Sequence, residues 1–211
     1  MAISDCFVSV VAPVCNDGAI IEEFVRDVMH VLRGTYAHYE LVLVDDSSED
    51  ESVARIASLL KEFECIRLIR LSRRFGEEIA IFAGLDTVIG DFVVVMLPNW
   101  DPPKLISRFV ERARNGSEVV FGVTRGRSGE SLLVRLGSSL FDWYCNRVLQ
   151  FSLPKNSTQF RALSRQAVNA VTQVKNVHRY LRLLTAVWDS SAKAFSTSRS
   201  TGRASRAGRF S

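Results

Sequence analysis

"YELVLVDDSSEDESVARIASLLKEF", residues 39–63, changes character twice in 25 positions. It begins as an almost unbroken apolar, β-branched run, the pattern of a strand covered on both faces as in a parallel sheet. A polar, acidic stretch "DDSSED" follows, and then "VARIASLLKEF", which reads as a helix whose start is signalled by acids near the positive end of its dipole. This is one βα unit.

The same unit repeats on either side. Strand-like runs recur at "FVSVVAPV" (7–14), "CIRLIRLS" (65–72), "DFVVVMLP" (91–98) and "SEVVFGV" (117–123). Between the first two strands, "AIIEEFVRDVMHVLRG" places Ile20, Ile21, Phe24, Val28, Val31 and Leu32 on one helical face, with Gly34 as its stop. Pro102 and Pro103 suit the first turn of a helix that opens just after Asp101. Beyond Gly122 the pattern turns to a long helical stretch (130–151), a short strand-like "TQFRAL" and two further helical segments up to Trp188. The expected class is α/β, a mixed and mostly parallel sheet with helices on both faces. One domain spans 1–190, and 191–211 form a basic, flexible tail.

Charge places the partners. The formal net charge of +4 comes from the tail, where Lys193, Arg199, Arg203, Arg206 and Arg209 face no acid. The 27 basic residues less these five leave 22 against 23 acids in the body, a net of −1. That excludes the broad basic face of a nucleic-acid binder. Cys6, Cys15, Cys65 and Cys145 have no metal-ligand spacing with each other or with His30, His38 and His178, and they suit a reduced, cytoplasmic setting. The N-terminus lacks a signal peptide's pattern, and no apolar run reaches membrane-spanning length. The aromatic cluster Phe141, Trp143 and Tyr144 is expected to pack, though it also suits a membrane interface.

In an open parallel sheet, ligands bind at the carboxyl ends of the strands. The polar residues there are Asn16 and Asp17, Asp45 and Asp46, Arg73 and Arg74, and Asn99 and Asp101. For "DDSSED" by itself, helix capping competes evenly with ligand binding. Arg74 reads as a solvated surface residue more readily than as part of a site. No Gly-x-Gly-x-x-Gly follows the first strand, which argues against a generic dinucleotide-binding fold.

Six segments in order resemble one family: "SVVAPVCND" (9–17), "LVLVDDSSEDES" (41–52), "LSRRFGEEIAIFAGLDTVIGDFVVVM" (71–96), "DPPKLI" (101–106), "FRALSR" (160–165) and "RASRAGRFS" (203–211). They are similar to the GT-A glycosyltransferases that use nucleotide-diphosphate sugars. The similarity is to the inverting family 2 branch, which includes dolichyl-phosphate mannose synthase and bacterial polyprenyl-phosphate sugar transferases. The resemblance implies that Pro13, Cys15, Asn16, Asp17, Asp46 and Asn99 meet the nucleotide, with Asp46 on the base. Cys15 stands where many relatives carry an aromatic residue, and Asp17 replaces a frequent glutamate. Sugar, base, acceptor and oligomeric state stay open.

Two departures matter. Where the family reads Met-Asp-x-Asp-x-Gln-x-Pro-Pro, this chain reads Met96, Leu97, Pro98, Asn99, Trp100, Asp101, Pro102, Pro103. A magnesium or manganese ion prefers carboxylate oxygens, so metal is expected to be dispensable, or held weakly through Asp101. Where relatives carry Asp-Phe-Arg-Leu, this chain has Gln159, which takes no proton at neutral pH. The resemblance makes Asp101, Gln159 and Arg161 the catalytic candidates. Arginines can stand in for the metal with forked donors, and Arg127, Arg199, Arg203 and Arg206 are the phosphate-binding candidates, with Arg73 and Arg74 nearby. A lipid-phosphate acceptor at the cytoplasmic face of a membrane is already anionic and tolerates the loss of a base. The tail is expected to fold over the site when phosphate arrives. The competing expectation is a catalytically silent relative that binds nucleotide or a partner protein.

Overall fold

The computed structural model describes residues 3–124 and 157–173, together with the backbone of 193–197. Seven strands form one sheet: β1 (Ser4–Val14), β2 (Tyr36–Asp45), β3 (Ile66–Arg70), β4 (Phe92–Val95), β5 (Val119–Thr124), β6 (Ser157–Ser164) and β7 (Lys193–Thr197). Their order is β3-β2-β1-β4-β6-β5-β7. The first four in that order are mutually parallel, β6 runs antiparallel to both neighbours, and β5 pairs with β7 in parallel. The mixed, mostly parallel α/β class expected from the sequence is the class observed.

Alternation along the strands sorts the core into two layers. Val8, Val10, Ala12 and Val14 of β1 pack with Leu41, Leu43 and Val94 beneath α1 (Ile21–Thr35), α2 (Ser52–Glu62) and α4 (Ile106–Arg114). Val11, Val42, Val44, Val93 and Val95 face the other way, against α3 (Glu77–Leu85) and α5 (Arg165–Gln173). Helix α3 seats directly on β1 because Gly84 has no side chain; a Cβ there would lie 2.4 Å from Val11 Cγ1. Burial on both faces is why the strands read as continuous apolar runs.

Boundaries differ from the sequence reading in four places. Helix α1 passes through Gly34 and ends at Thr35, where Tyr36 turns extended and begins β2. The acids of "SSEDES" stand ahead of α2 rather than in its first turn, and Asp50 Oδ1 accepts the Ser52 N–H at 2.9 Å. Pro103–Leu105 form a 3-10 turn, and the α-helix proper starts at Ile106. Residues 193–197, expected within the flexible tail, add β7 to the sheet beside β5. The helical stretch at 130–151, with its aromatic cluster, and the segment up to Trp188 lie outside the described residues. So do Arg127, Arg199, Arg203 and Arg206.

Candidate functional site

The sheet reverses its winding at β1, with β2 on one side and β4 on the other. Connections leave in opposite directions at such a point and open a crevice beyond the carboxyl ends of the strands. Here that crevice is an open cleft of about 280 Å³, lined by the β1–α1 turn, the end of β2, the start of α3 and the loop after β4. Pro13, Cys15, Asp17, Asp46 and Asn99 line it, together with Arg74, Gly76, Glu77, Leu97 and Trp100.

Asp46 ties three strand ends together. Its N–H donates to Val14 O (2.9 Å), and its buried carboxylate accepts the Phe75 N–H at 2.7 Å and the Gly76 N–H at 2.8 Å. Two charge-assisted bonds thus fix the turn that carries Arg74 and leads into α3. Gly76 makes the turn possible, since its φ of 98° is left-handed backbone that costs other residues strain.

Asp17 shapes the opposite wall. Oδ2 accepts the Cys15 N–H at 3.0 Å, Oδ1 accepts from the Asn99 amide nitrogen, and its carbonyl accepts the Ile20 and Ile21 N–H groups at the start of α1. Burial pushes the Asp17 carboxyl above its ordinary value, against the lowering effect of the bonds from Cys15 and Asn99. Asn16, in left-handed backbone at φ 57°, points away from the cleft: its Oδ1 accepts the Glu49 N–H at 2.8 Å, and its own N–H donates to Ser48 Oγ at 3.0 Å. Asn16, expected at the nucleotide, couples the first turn to the loop before α2. Capping and cleft building divide "DDSSED" between them: Asp50 serves Ser52 and Gly18, Asp45 Oδ1 accepts the Ser48 N–H, and Asp46 serves the cleft.

The three catalytic candidates do not line the cleft. Asp101 is buried, and its Oδ2 accepts the Leu97 N–H at 2.8 Å while its own N–H donates to Leu97 O at 3.1 Å, so this carboxylate closes the loop after β4. Gln159 and Arg161 lie buried on β6, on the face shared with α3. Gln159 donates through Nε2 to Glu78 Oε1 and accepts from the Arg161 guanidinium, which also donates through Nε to Gln159 O at 3.1 Å. The Arg161 side chain is fully buried and stands 5.8 Å from the centroid of the Phe121 ring. The antiparallel pair Val95↔Arg161, continued two residues, runs Gln159 toward Leu97 at the cleft floor. The trio Glu78, Gln159 and Arg161 therefore links α3 to β6.

The side chains after β4 do not suit a divalent cation. Leu97 has no donor atom, the Asn99 amide nitrogen is engaged with Asp17, and Asp101 is turned to Leu97. Hard cations need several oxygen ligands at one point. Among the described residues no group of three or more His, Cys, Asp or Glu side chains is arranged to hold a metal.

Sequence reasoning left Glu77 and Trp100 unmarked as cleft residues, and it weighed Arg74 both as a counter-charge candidate and as a surface residue. Arg74 is the one basic side chain among the described residues lining the cleft, with Nη2 donating to Cys15 Sγ. Trp100, 53% exposed at the rim, carried no signal beyond being an aromatic residue in a polar loop.

Residues 9–172 match the family model described as glycosyl transferase family 2. The chain is 30% identical over 179 residues to an uncharacterized glycosyltransferase of Synechocystis, covering 84% of this chain and 56% of that one. It is 31% identical over 179 residues to an undecaprenyl-phosphate 4-deoxy-4-formamido-L-arabinose transferase of Pseudomonas paraeruginosa, covering 84% and 52%. It thus spans about half the length of these curated relatives. In fold it is similar to glucosyl-3-phosphoglycerate synthase of Mycobacterium tuberculosis, solved with Mn2+, UDP-glucose and phosphoglyceric acid. That comparison gives a TM-score of 0.62 at 20% identity, covering 92% of this chain and 71% of that one.

Proposed function

The chain belongs to glycosyl transferase family 2, and from that premise we propose that it transfers a sugar from a nucleotide-diphosphate sugar to a polyprenyl phosphate. The observation that carries the reading is the cleft at the β1/β4 switch point, which joins Pro13, Asp17, Asp46 and Asn99 from three separate segments. The nucleoside lies against Pro13, Cys15 and Asp46, and the diphosphate runs toward Arg74 and the loop after β4. A single displacement forms the bond from acceptor oxygen to the anomeric carbon. The bond to the β-phosphate oxygen breaks, and the nucleoside diphosphate leaves with the electron pair.

The residue at the position where the family resemblance puts a base supports that acceptor. A hydroxyl acceptor needs a base, whereas Gln159 takes no proton and is locked between Glu78 and Arg161. A phosphate acceptor is already anionic at neutral pH. The Pseudomonas relative's name carries the same acceptor class. Among the described residues no helix is long and apolar enough to cross a membrane.

A thermal-shift screen of UDP-, GDP-, CDP- and dTDP-sugars identifies the donor. Incubation of that donor with a short-chain polyprenyl phosphate then tests transfer. A sugar-phosphate lipid product is expected. Stabilisation by none of the four donor classes would overturn the reading.

A further inference from the structure

Resting on that reading, we propose that Arg74 is the built-in counter-charge for the donor diphosphate, occupying the role that a divalent cation would otherwise fill. Leaving-group departure from a nucleotide sugar builds negative charge on the diphosphate, and some fixed positive charge must meet it. The loop after β4 offers no ligand set for a cation: Leu97 is apolar, Asn99 is tied to Asp17 through its amide nitrogen, and Asp101 closes its own loop. Arg74 lines the same cleft as that loop.

The present partner of Arg74 suits such a role. Nη2 donates to the Cys15 sulfur, and sulfur is a weak acceptor. A phosphate oxygen is a far stronger one, so a guanidinium with five donors gains by turning to the diphosphate. The exchange also leaves the Cys15 side chain clear for the nucleoside. The backbone under Arg74 is held independently of the ligand, because Asp46 fixes the next two N–H groups at 2.7 and 2.8 Å. The arginine is thus a mobile head on an anchored stem. The acids that share the cleft, Asp17, Asp46 and Glu77, explain why one strong cation is required: without it the cleft would repel a diphosphate.

The test titrates the full chain with UDP, GDP, uridine and guanosine by calorimetry, in EDTA and again with manganese, for wild type, Arg74→Ala and Arg74→Lys. Wild type is expected to bind one diphosphate in EDTA with little change on adding manganese. Arg74→Ala should lose about tenfold to a hundredfold in diphosphate affinity, the equivalent of one or two charge-assisted hydrogen bonds, with nucleoside affinity unchanged. Arg74→Lys should fall between them, since it keeps the charge without the fork. Equal diphosphate affinity in wild type and Arg74→Ala would overturn the proposal, as would a wild type that binds diphosphate only with manganese. A wild type that binds neither diphosphate nor nucleoside would instead remove the glycosyltransferase reading on which the proposal stands.

Discussion

Replacing Asp46 with alanine tests the cleft at its anchor. The carboxylate is 3% exposed and accepts two backbone N–H groups at 2.7 and 2.8 Å. Bonds to a charged acceptor contribute roughly 1.5–3 kcal/mol each, so about 3–6 kcal/mol is gross. Two effects reduce it. Phe75 and Gly76 are exposed, so water can reach the abandoned N–H groups, and removing a buried carboxylate recovers part of its own desolvation cost. The expected net loss is about 2–4 kcal/mol, which for a chain of this size lowers Tm by about 5–15 °C. Asp46→Asn is the sharper variant. It keeps one acceptor but sets an amide NH2 against the second backbone N–H, so it should be no more stable than the alanine. Urea denaturation gives the stability, and UDP or GDP titration the binding; both variants should lose nucleotide affinity because the turn bearing Arg74 is released. An Asp46→Asn protein that unfolds at the wild-type urea concentration would refute the reasoning.

Gly84→Ala should destabilise by about 1–2 kcal/mol, because a Cβ 2.4 Å from Val11 Cγ1 and 3.1 Å from Val44 Cγ2 forces repacking that outweighs the roughly 1 kcal/mol gain in helix propensity; a denaturation midpoint equal to wild type would contradict it. Asp50 feels some burial, yet the hydrogen bonds from Ser52 and Gly18 outweigh it and hold the carboxyl below its ordinary 3.8. Its contribution is therefore present above the unfolded value and lost as pH falls through the folded one, so the stability gap between wild type and Asp50→Asn should close in acid urea titrations; a gap that widens below pH 4 counts against this. Burial raises the Tyr36 hydroxyl to about 12, against a hydrogen bond with Ser107. Stability from keeping it neutral is complete below the ordinary value near 10 and fades as pH rises through 12, so spectroscopic titration should show one tyrosine ionising late, and Tyr36→Phe should remove that step.

The sequence determined the βα repeat, the sheet class and the rim on which the site would lie. Those depend on local periodicity, and strands buried on both faces announce themselves by continuous apolar runs such as Leu41–Val44. It also marked Pro13, Cys15, Asp17, Asp46 and Asn99 as residues of the cleft. The tertiary structure alone decided which way polar side chains turn. Asn16 and Asp17 are neighbours in sequence, yet one bonds the loop before α2 and the other lines the cleft, because left-handed backbone at Asn16 swings its side chain outward. Asp101 could be placed beside the strand end from its motif, but only the folded loop shows its Oδ2 accepting the Leu97 N–H. Arg74 carried two readings in the sequence, a surface arginine or a counter-charge for phosphate. It became a site residue because Asp46, 28 positions earlier, pins the following turn against the cleft. Pairings across such separations leave no periodic trace, since they depend on where two strand ends meet in space rather than on the residues beside them.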